Sequence, residues 1–332
     1  MVIHSSLDLA AQLEQLCTDN WRTQGYRYKK KSAANMVSGF CQFLYFTAHF
    51  QLRPVPANEI TLTLFLEFMA RTVKYGHLKH LLRSVTYVHE ALNLDCPNET
   101  FQVQTTLKGL KRRLAKVPFQ VLPLSPSILR KIYSYLDMNN AADLALWCSY
   151  LTAFYGLLRK KSTVPETSDL SEEPYLKKRH LQVDRRNNMV YIYIGYSKTN
   201  NFCTRDIVIP VPGNNDAALD LVRHLTALYD RVNSSEDSPA FTFKANQFIS
   251  YTSFTSRLKT LLRKAGLNPD LFSGHSFRRG GATFLYNCGG STVMIQASGD
   301  WSSQCFTRYL YLTEGQRLAA QLLMRNAIHT TI

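Results

Sequence analysis

The sequence predicts a mainly α-helical protein with a small antiparallel β-sheet, arranged as two domains. Three observations carry this reading. Apolar residues recur at helical intervals over most of the 332 residues. A proline-punctuated segment, KVPFQVLPLSPS at residues 116–127, breaks that pattern, because each proline disfavours helix at the position before it. Once only, around residues 180–211, the period shortens to strand-like alternation with polar turns.

Upstream of the break, helices are expected over 8–18, 31–50, 58–75, 78–93 and 101–115. In 31–50, Met36, Phe40, Phe43 and Leu44 fall at helical intervals. Downstream, Ser125-Pro126 reads as a helix start, with serine as N-cap and proline in the first turn. A second helix is expected over 141–157. Then HLQVD, MVYIYIGYS and TRDIVIPV read as three strands joined at RRNN and KTNNF. Helices resume over 216–232, 252–265 (ended by Gly266), 276–287, 292–298, 302–311 and 315–327.

Composition narrows the function classes. Hydrophobic residues make up 45%, with 18 Tyr, 18 Phe and 3 Trp, enough for a core in each domain and too many for a disordered chain. No apolar run is long enough to span a bilayer, and MVIHSSLDLAAQLEQL lacks the basic start and apolar core of a signal peptide. Seven scattered cysteines, with no CxxC pair, suggest reduced and mostly buried thiols and no zinc site. The formal charge is +15, which points to a polyanion, with nucleic acid the first candidate. Residues 1–125 hold 15 Lys/Arg against 8 Asp/Glu, and the remainder 24 against 16. The excess is shared evenly, so both halves are expected to meet the anion. No GxGxxG or GxxxxGK[ST] loop is present to suggest a nucleotide cofactor.

One segment carries chemistry: GHSFRRGGAT, residues 274–283. At a helix start, His275 and Arg278 three residues apart turn toward one face, beside free backbone N–H groups. The spacing alone is weak, since His80-x-x-Arg83 repeats it on what reads as a surface helix. Its company is more specific. Arg159 stands at a helix end in FYGLLRKKS, and Lys198 at a strand turn in IGYSKTNNF. Trp301 begins WSSQCFTRYLYL, which also holds Tyr309 and Tyr311.

In that order (Arg, turn Lys, His-x-x-Arg, Trp, Tyr) nearly the whole chain resembles the tyrosine recombinases, the phage-integrase-like site-specific recombinases. GHSFRRGGAT followed by DWSSQCFTRYL is similar to the eukaryotic mobile-element recombinases of the DIRS, Ngaro and Crypton groups. The resemblance implies a helical DNA core-binding domain at 1–117, a linker at 118–126, and an α+β catalytic domain with a C-terminal helix at 127–332. It implies an enzyme that mobilises a transposable element, cleaving and rejoining DNA through a 3′-phosphotyrosyl intermediate and passing strands through a Holliday junction. No cofactor or metal is needed.

The residue types suit that chemistry. A tyrosine can store the phosphodiester energy covalently, so a DNA hydroxyl can reverse the cut. Arg159 and Arg278 offer planar forks to the non-bridging oxygens of the phosphorane. Lys198 would protonate the leaving 5′ oxygen, and His275 would accept the tyrosine proton or hold the phosphate. Trp301 occupies the family's His/Trp position, where an indole N–H can donate to phosphate and the ring can buttress the nucleophile. Singly, each has a plainer reading: a helix-end cation, a turn lysine, a core indole, a packed tyrosine. Their joint order favours the catalytic one.

Two departures stand out. The family usually has an acidic residue three positions after the first arginine, where this chain has Ser162. The nucleophile commonly stands nine positions after the His/Trp residue, which here is Leu310, flanked by two tyrosines. Tyr309 is chosen because RYL resembles the mobile-element wording, with Tyr311 the alternative. Lys29, Lys30, Lys31, Lys79, Arg83, Lys108, Lys111, Arg112, Arg113, Arg257 and Lys259 are the expected DNA contacts. The expected partner is double-stranded DNA with specific recombination sites, clamped between the two domains. A homotetramer built as a pair of dimers is expected on DNA, with monomer or dimer in its absence, and no membrane. The helix at 315–327, with Leu318, Leu322 and Leu323, would pack on its own domain or pass to a neighbouring protomer. Location would be nuclear, or cytoplasmic in a prokaryotic host. Two other readings stand beside this one: a domesticated DNA-binding protein without chemistry, and a type IB topoisomerase-like enzyme.

Overall fold

The structure, a computed structural model, describes residues 30–115, 121–166, 170, 175–195, 207–301, 303–310, 318, 321, 322 and 325. The chain divides into two compact units, Met1–Pro118 and Phe119–Ile332.

The first unit is built from α1 (Lys30–His49), α2 (Glu59–Met69), α3 (Tyr75–Ala91) and α4 (Phe101–Arg113). α1 packs on α3, and α2 on α4. Their core centres on Phe65, which meets Phe43 edge-on at 5.0 Å and Phe46 at 5.3 Å. The buried stripe of α1 runs through Met36, Phe43, Phe46 and Thr47, while Leu44, expected on it, is exposed. The helix expected over 58–75 ends at Met69, and the next begins at Tyr75. Thr72 and Val73 both donate backbone N–H groups to Met69 O at 3.0 Å, which closes a turn before α3. His89 of α3 is fully buried and ties α3 to the α1–α2 connection. Its Nε2 accepts from Ala57 N at 2.8 Å, and Nδ1 lies 2.9 Å from Val85 O as the donor.

The second unit is organised around α6. Its helices are α5 (Pro126–Tyr133), α6 (Ala141–Tyr155), α7 (Lys160–Thr163), α8 (Leu221–Arg231), α9 (Tyr251–Lys264), α10 (His275–Asn287) and α11 (Thr292–Ser298). Every residue of α6 from Leu144 to Phe154 is buried, as a helix apolar all round requires. Tyr150 stacks on Phe277 of α10 at 4.7 Å and meets Phe254 of α9 edge-on at 4.8 Å. Side chains also gather on one turn. Trp147 Nε1 donates to Ala218 O (2.7 Å), Tyr155 OH to Leu219 O (2.9 Å), and His224 Nε2 lies 2.9 Å from Ala217 O.

Three strands form an antiparallel sheet in the order β1 (Leu181–Asp184), β2 (Met189–Ile194), β3 (Ile207–Pro212). Leu181 faces Ile192 and Ile194 faces Ile207. Val190, Ile192 and Ile194 turn inward, the alternation read from the sequence. The Arg185–Asn188 turn is held by Asp184, which accepts from Asn187 N at 3.0 Å and from Asn187 Nδ2 at 2.7 Å. A second hairpin, β4 (Thr242–Lys244) with β5 (Gln247–Phe248), was not expected; its strands are too short to show a period. The helix expected over 216–232 begins at Leu221. Asp216 Oδ1 closes a turn by accepting from Ala218 N, and Asp220 Oδ1 caps the helix by accepting from Val222 N.

α10 crosses two backbones at close range. A Cβ at Gly280 would stand 2.1 Å from Leu124 O, and one at Gly281 would stand 2.2 Å from Phe154 O. The adjacent glycines of GHSFRRGGAT therefore serve helix packing. The helix expected over 302–311 is a 3₁₀ turn at Gln304–Tyr309, followed by extended Leu310 (φ −71°, ψ 135°). A three-residue period puts Phe306 and Tyr309 on one side, and both rings pack on Trp301.

The expectation of mostly buried thiols is corrected: of the described cysteines, Cys148 is buried, Cys96 half-buried, and Cys41, Cys288 and Cys305 exposed. Cys17, Cys203, the helix expected at 8–18 and most of 315–327 lie outside the described residues, and Leu318 and Leu322 are exposed. No described helix is long and apolar enough to cross a membrane.

Replacing Gly280 by alanine would drive a methyl group into a backbone carbonyl. Gly280→Ala is expected to cost about 1–3 kcal/mol, read as a lower midpoint for thermal unfolding of the second unit.

Candidate active site

The site is assembled where α6, α10, α11 and the 3₁₀ turn meet. Arg159 lies just past the end of α6 as the N-cap of α7, with extended backbone (φ −78°, ψ 140°). Its carbonyl accepts from Ser162 N at 2.8 Å and from Thr163 Oγ1 at 3.1 Å, which fixes the backbone from which its side chain departs.

His275 opens α10. Ser273 Oγ accepts from His275 N at 3.2 Å, and Ser276 Oγ accepts from Ser273 N at 3.0 Å, so the serines around the motif cap the helix reciprocally. His275 stays exposed on one side. Desolvation of its other side, then the positive Lys160, Arg159 and Arg278, in that order, lower its pKa below the ordinary value. It is therefore a neutral imidazole at pH 7.

Arg278, one turn on, is 2% exposed. Its Nη1 donates to Leu157 O at the end of α6, and its Nη2 donates to Gly299 O at 2.6 Å after α11. The guanidinium carbon lies 3.9 Å from the Trp301 ring centre and 5.4 Å from that of Tyr309. Burial and the charge of Arg159 pull its pKa down to about 10. Tyr309, through charge and a hydrogen bond, and Asp300 oppose that shift, so Arg278 stays a cation at neutral pH.

Trp301 is 5% exposed and lies between Arg278 and the 3₁₀ turn, 5.2 Å from the Tyr309 ring. Its indole lies directly against Gly299, where a Cβ would come within 1.7 Å of a ring carbon. Asp300 between them takes a left-handed backbone (φ 49°) that turns the chain from α11 into the site. Tyr309 is half-buried, and its carbonyl accepts from Thr283 Oγ1 of α10 at 3.2 Å.

Arg278, Trp301 and Tyr309 are thus in contact, and Arg159 and His275 share their electrostatic environment. Two donors inside the cluster, Arg278 Nε and Trp301 Nε1, are buried with no hydrogen-bond partner among the described residues. Buried unpaired donors are costly, and these two belong to residues packed together in a cationic cluster, which makes it a candidate anion site.

Lys198, Tyr311 and Lys29 lie outside the described residues, as do the side chains of Lys30 and Lys31. Lys79, Arg83, Lys108, Lys111 and Arg112 are exposed on α3 and α4 of the first unit. Three other expected DNA contacts reach carboxylates of their own unit: Arg113 to Glu67 (2.7 Å), Arg257 to Asp143, and Lys259 to Asp270 (3.1 Å). The Arg113 and Lys259 pairs are exposed on both sides and worth little. His80 is half-buried and Arg83 exposed on α3, in the first unit. Sequence reasoning missed the Leu157 and Gly299 carbonyls that hold Arg278, since backbone acceptors leave no residue signature. It also missed Lys160, which follows Arg159 in the chain and lies against Gly274, the residue before His275. No group of three or more His, Cys, Asp or Glu among the described residues is placed to hold a metal.

This fold is that of the tyrosine recombinases, mostly helical with a small antiparallel sheet. Residues 172–315, within the second unit, match the model of the phage integrase family. No relative is found among curated proteins. Among solved structures, the chain is similar to the Tn1549 transposon integrase in complex with transposon right end DNA. That match has 14% identity, covers 94% of this chain and 98% of the other, and has a TM-score of 0.55. A lambda integrase dimer bound to a COC' core site matches at 15% identity over 92% and 81%, with a TM-score of 0.52. The XerH site-specific recombinase bound to palindromic difH substrate, a post-cleavage complex, matches at 13% over 81% and 70%, also at 0.52. At these identities the likeness is one of fold.

Inorganic phosphate provides a direct check on the unpaired donors. At saturation it is expected to stabilise the protein by about 1–3 kcal/mol, seen as a raised thermal midpoint, and Arg278→Met should remove most of that gain. An equal response in the variant would place the anion elsewhere.

Proposed function

We propose that the protein is a site-specific DNA recombinase that cleaves and rejoins DNA through a 3′-phosphotyrosyl intermediate on Tyr309, mobilising a transposable element. One observation carries the reading: a buried arginine in contact with an indole and a tyrosine, with one buried unpaired donor on the arginine and one on the indole. The phage integrase domain and the DNA held by proteins of similar fold support it.

In the proposed reaction, Tyr309 Oη bonds to the scissile phosphorus as the bond to the 5′ oxygen breaks. His275, neutral at pH 7, accepts the phenol proton, and Lys198 gives a proton to the leaving oxygen. Arg278 and Arg159 hold the non-bridging oxygens as charge builds on the phosphorane, and the Trp301 N–H adds a third donor. Attack by a 5′ hydroxyl reverses each step, so strands are exchanged through a Holliday junction without water. The exposed basic residues of both units, Lys79, Arg83, Lys108, Lys111 and Arg112 foremost, would grip the duplex. The working assembly would be a homotetramer on paired DNA sites, in the nucleus, for an element of the DIRS, Ngaro or Crypton type.

Ser162, standing where an acidic residue is usual, favours a second reading in which the protein binds DNA but has lost the chemistry. A nicked suicide duplex separates the two. The wild type is expected to form a covalent protein–DNA adduct, and Tyr309→Phe none. An adduct that survives Tyr309→Phe moves the nucleophile to Tyr311, and no adduct on any cognate DNA favours the binder. Relaxation of supercoils without site dependence would favour a topoisomerase.

Arg278→Ala should lower the cleavage rate by about 10²–10³-fold while DNA affinity, measured by gel shift, changes only several-fold. Loss of both together would contradict the division between gripping and cutting residues.

A further inference from the structure

Lys160 follows Arg159 directly and is half-buried. Two contacts determine where its charge lies. Its aliphatic stem lies across Gly274, where a Cβ would stand 2.2 Å from Lys160 Cδ and 2.9 Å from both Cβ and Cγ. Its ammonium is 3.8 Å from the centre of the Tyr251 ring, the range of a strong cation–π contact. Tyr251 is itself anchored, its N–H donating to Pro165 O at 2.8 Å. Gly274 immediately precedes His275, so a lysine held in this way fixes a positive charge beside the imidazole. The neighbouring Lys161 does something else: its Nζ pairs with Glu166 at 2.6 Å, at the exposed surface.

We infer that Lys160 is a positioning residue for His275, its stem laid over Gly274 and its ammonium held over the Tyr251 ring so that the imidazole beside it stays unprotonated and able to take a proton. This rests on the proposed role of His275 as acceptor of the tyrosine proton.

The surrounding charges agree. From the α6–α7 segment, Arg159 and Lys160 face His275, and from α10 itself Arg278 does so. Tyr309 on the 3₁₀ turn and Asp300 after α11 act on Arg278. Position 162, where an acidic side chain would favour a protonated imidazole, is a serine. Lys160 is the largest charged contributor in lowering the affinity of His275 for a proton, second only to desolvation. Removing its charge must therefore raise that affinity.

The test uses the full chain and three proteins: wild type, Lys160→Met, which keeps the stem over Gly274 and loses the charge, and Lys160→Arg, which restores a charge. The His275 midpoint is read by NMR titration of its imidazole, assigned with His275→Asn. Lys160→Met is expected to raise the midpoint by about 0.5–1 pH unit, with Lys160→Arg close to wild type. On the suicide duplex, the acid limb of cleavage should move up by the same amount, and the rate at pH 6 relative to pH 8 should fall several-fold. An unchanged midpoint in a folded Lys160→Met variant would overturn the inference. If the wild type forms no adduct at all, the recombinase reading fails, while the NMR midpoint still decides whether Lys160 sets the protonation of His275.

Discussion

The buried guanidinium of Arg278 is the constraint around which the second unit is arranged. A charge at 2% exposure is tolerated only with fixed partners, and it takes them from three directions. Leu157 O fixes the end of α6, Gly299 O fixes the exit from α11, and the faces of Trp301 and Tyr309 fix the 3₁₀ turn. Much of the surrounding packing brings these groups within reach. The Gly280–Gly281 pair lets α10 lie against Leu124 and Phe154, so that Arg278, on the same helix, arrives beside Leu157. A single buried cation thus links the hydrophobic organisation of the unit to the candidate active site.

Around that cation the electrostatics are one-sided. Arg159, Lys160 and Arg278 crowd a small volume, and Asp300 is the carboxylate that acts on Arg278. Self-repulsion of this kind is unfavourable in the free protein and is relieved when a polyanion enters. The same crowding keeps His275 neutral. In the proposed reaction, affinity for an anion and proton-accepting capacity would be two results of one charge distribution, and a change to one cation would alter both.

The sequence was legible where side chains recur with a period or a motif. Helical periodicity marked α1, α3, α4, α6 and α9, and alternation marked β2. The His275-x-x-Arg278 spacing located the start of α10, and Trp301 and Tyr309 fell into contact with Arg278. Other features lay beyond a one-dimensional reading for physical reasons. Over the six residues Gln304–Tyr309, three- and four-residue periods can hardly be told apart, so a 3₁₀ turn read as an α-helix. Asp216 and Asp220 are both competent caps, and only packing decides that the helix begins after the second. In RKKS, nothing in the letters separates the lysine laid over Tyr251 from the one paired with Glu166.

The indole of Trp301 resting on the bare Cα of Gly299 has one more consequence, for how such a site can change over time. The two positions share a single volume, so neither is free to vary alone. A side chain at 299 is admitted only if the ring at 301 shrinks, and a smaller ring at 301 leaves a gap that a side chain at 299 could fill. Substitutions there should be strongly non-additive. A lineage exchanging tryptophan for a smaller donor at this place would have to pass through a loosened intermediate, unless both codons changed together.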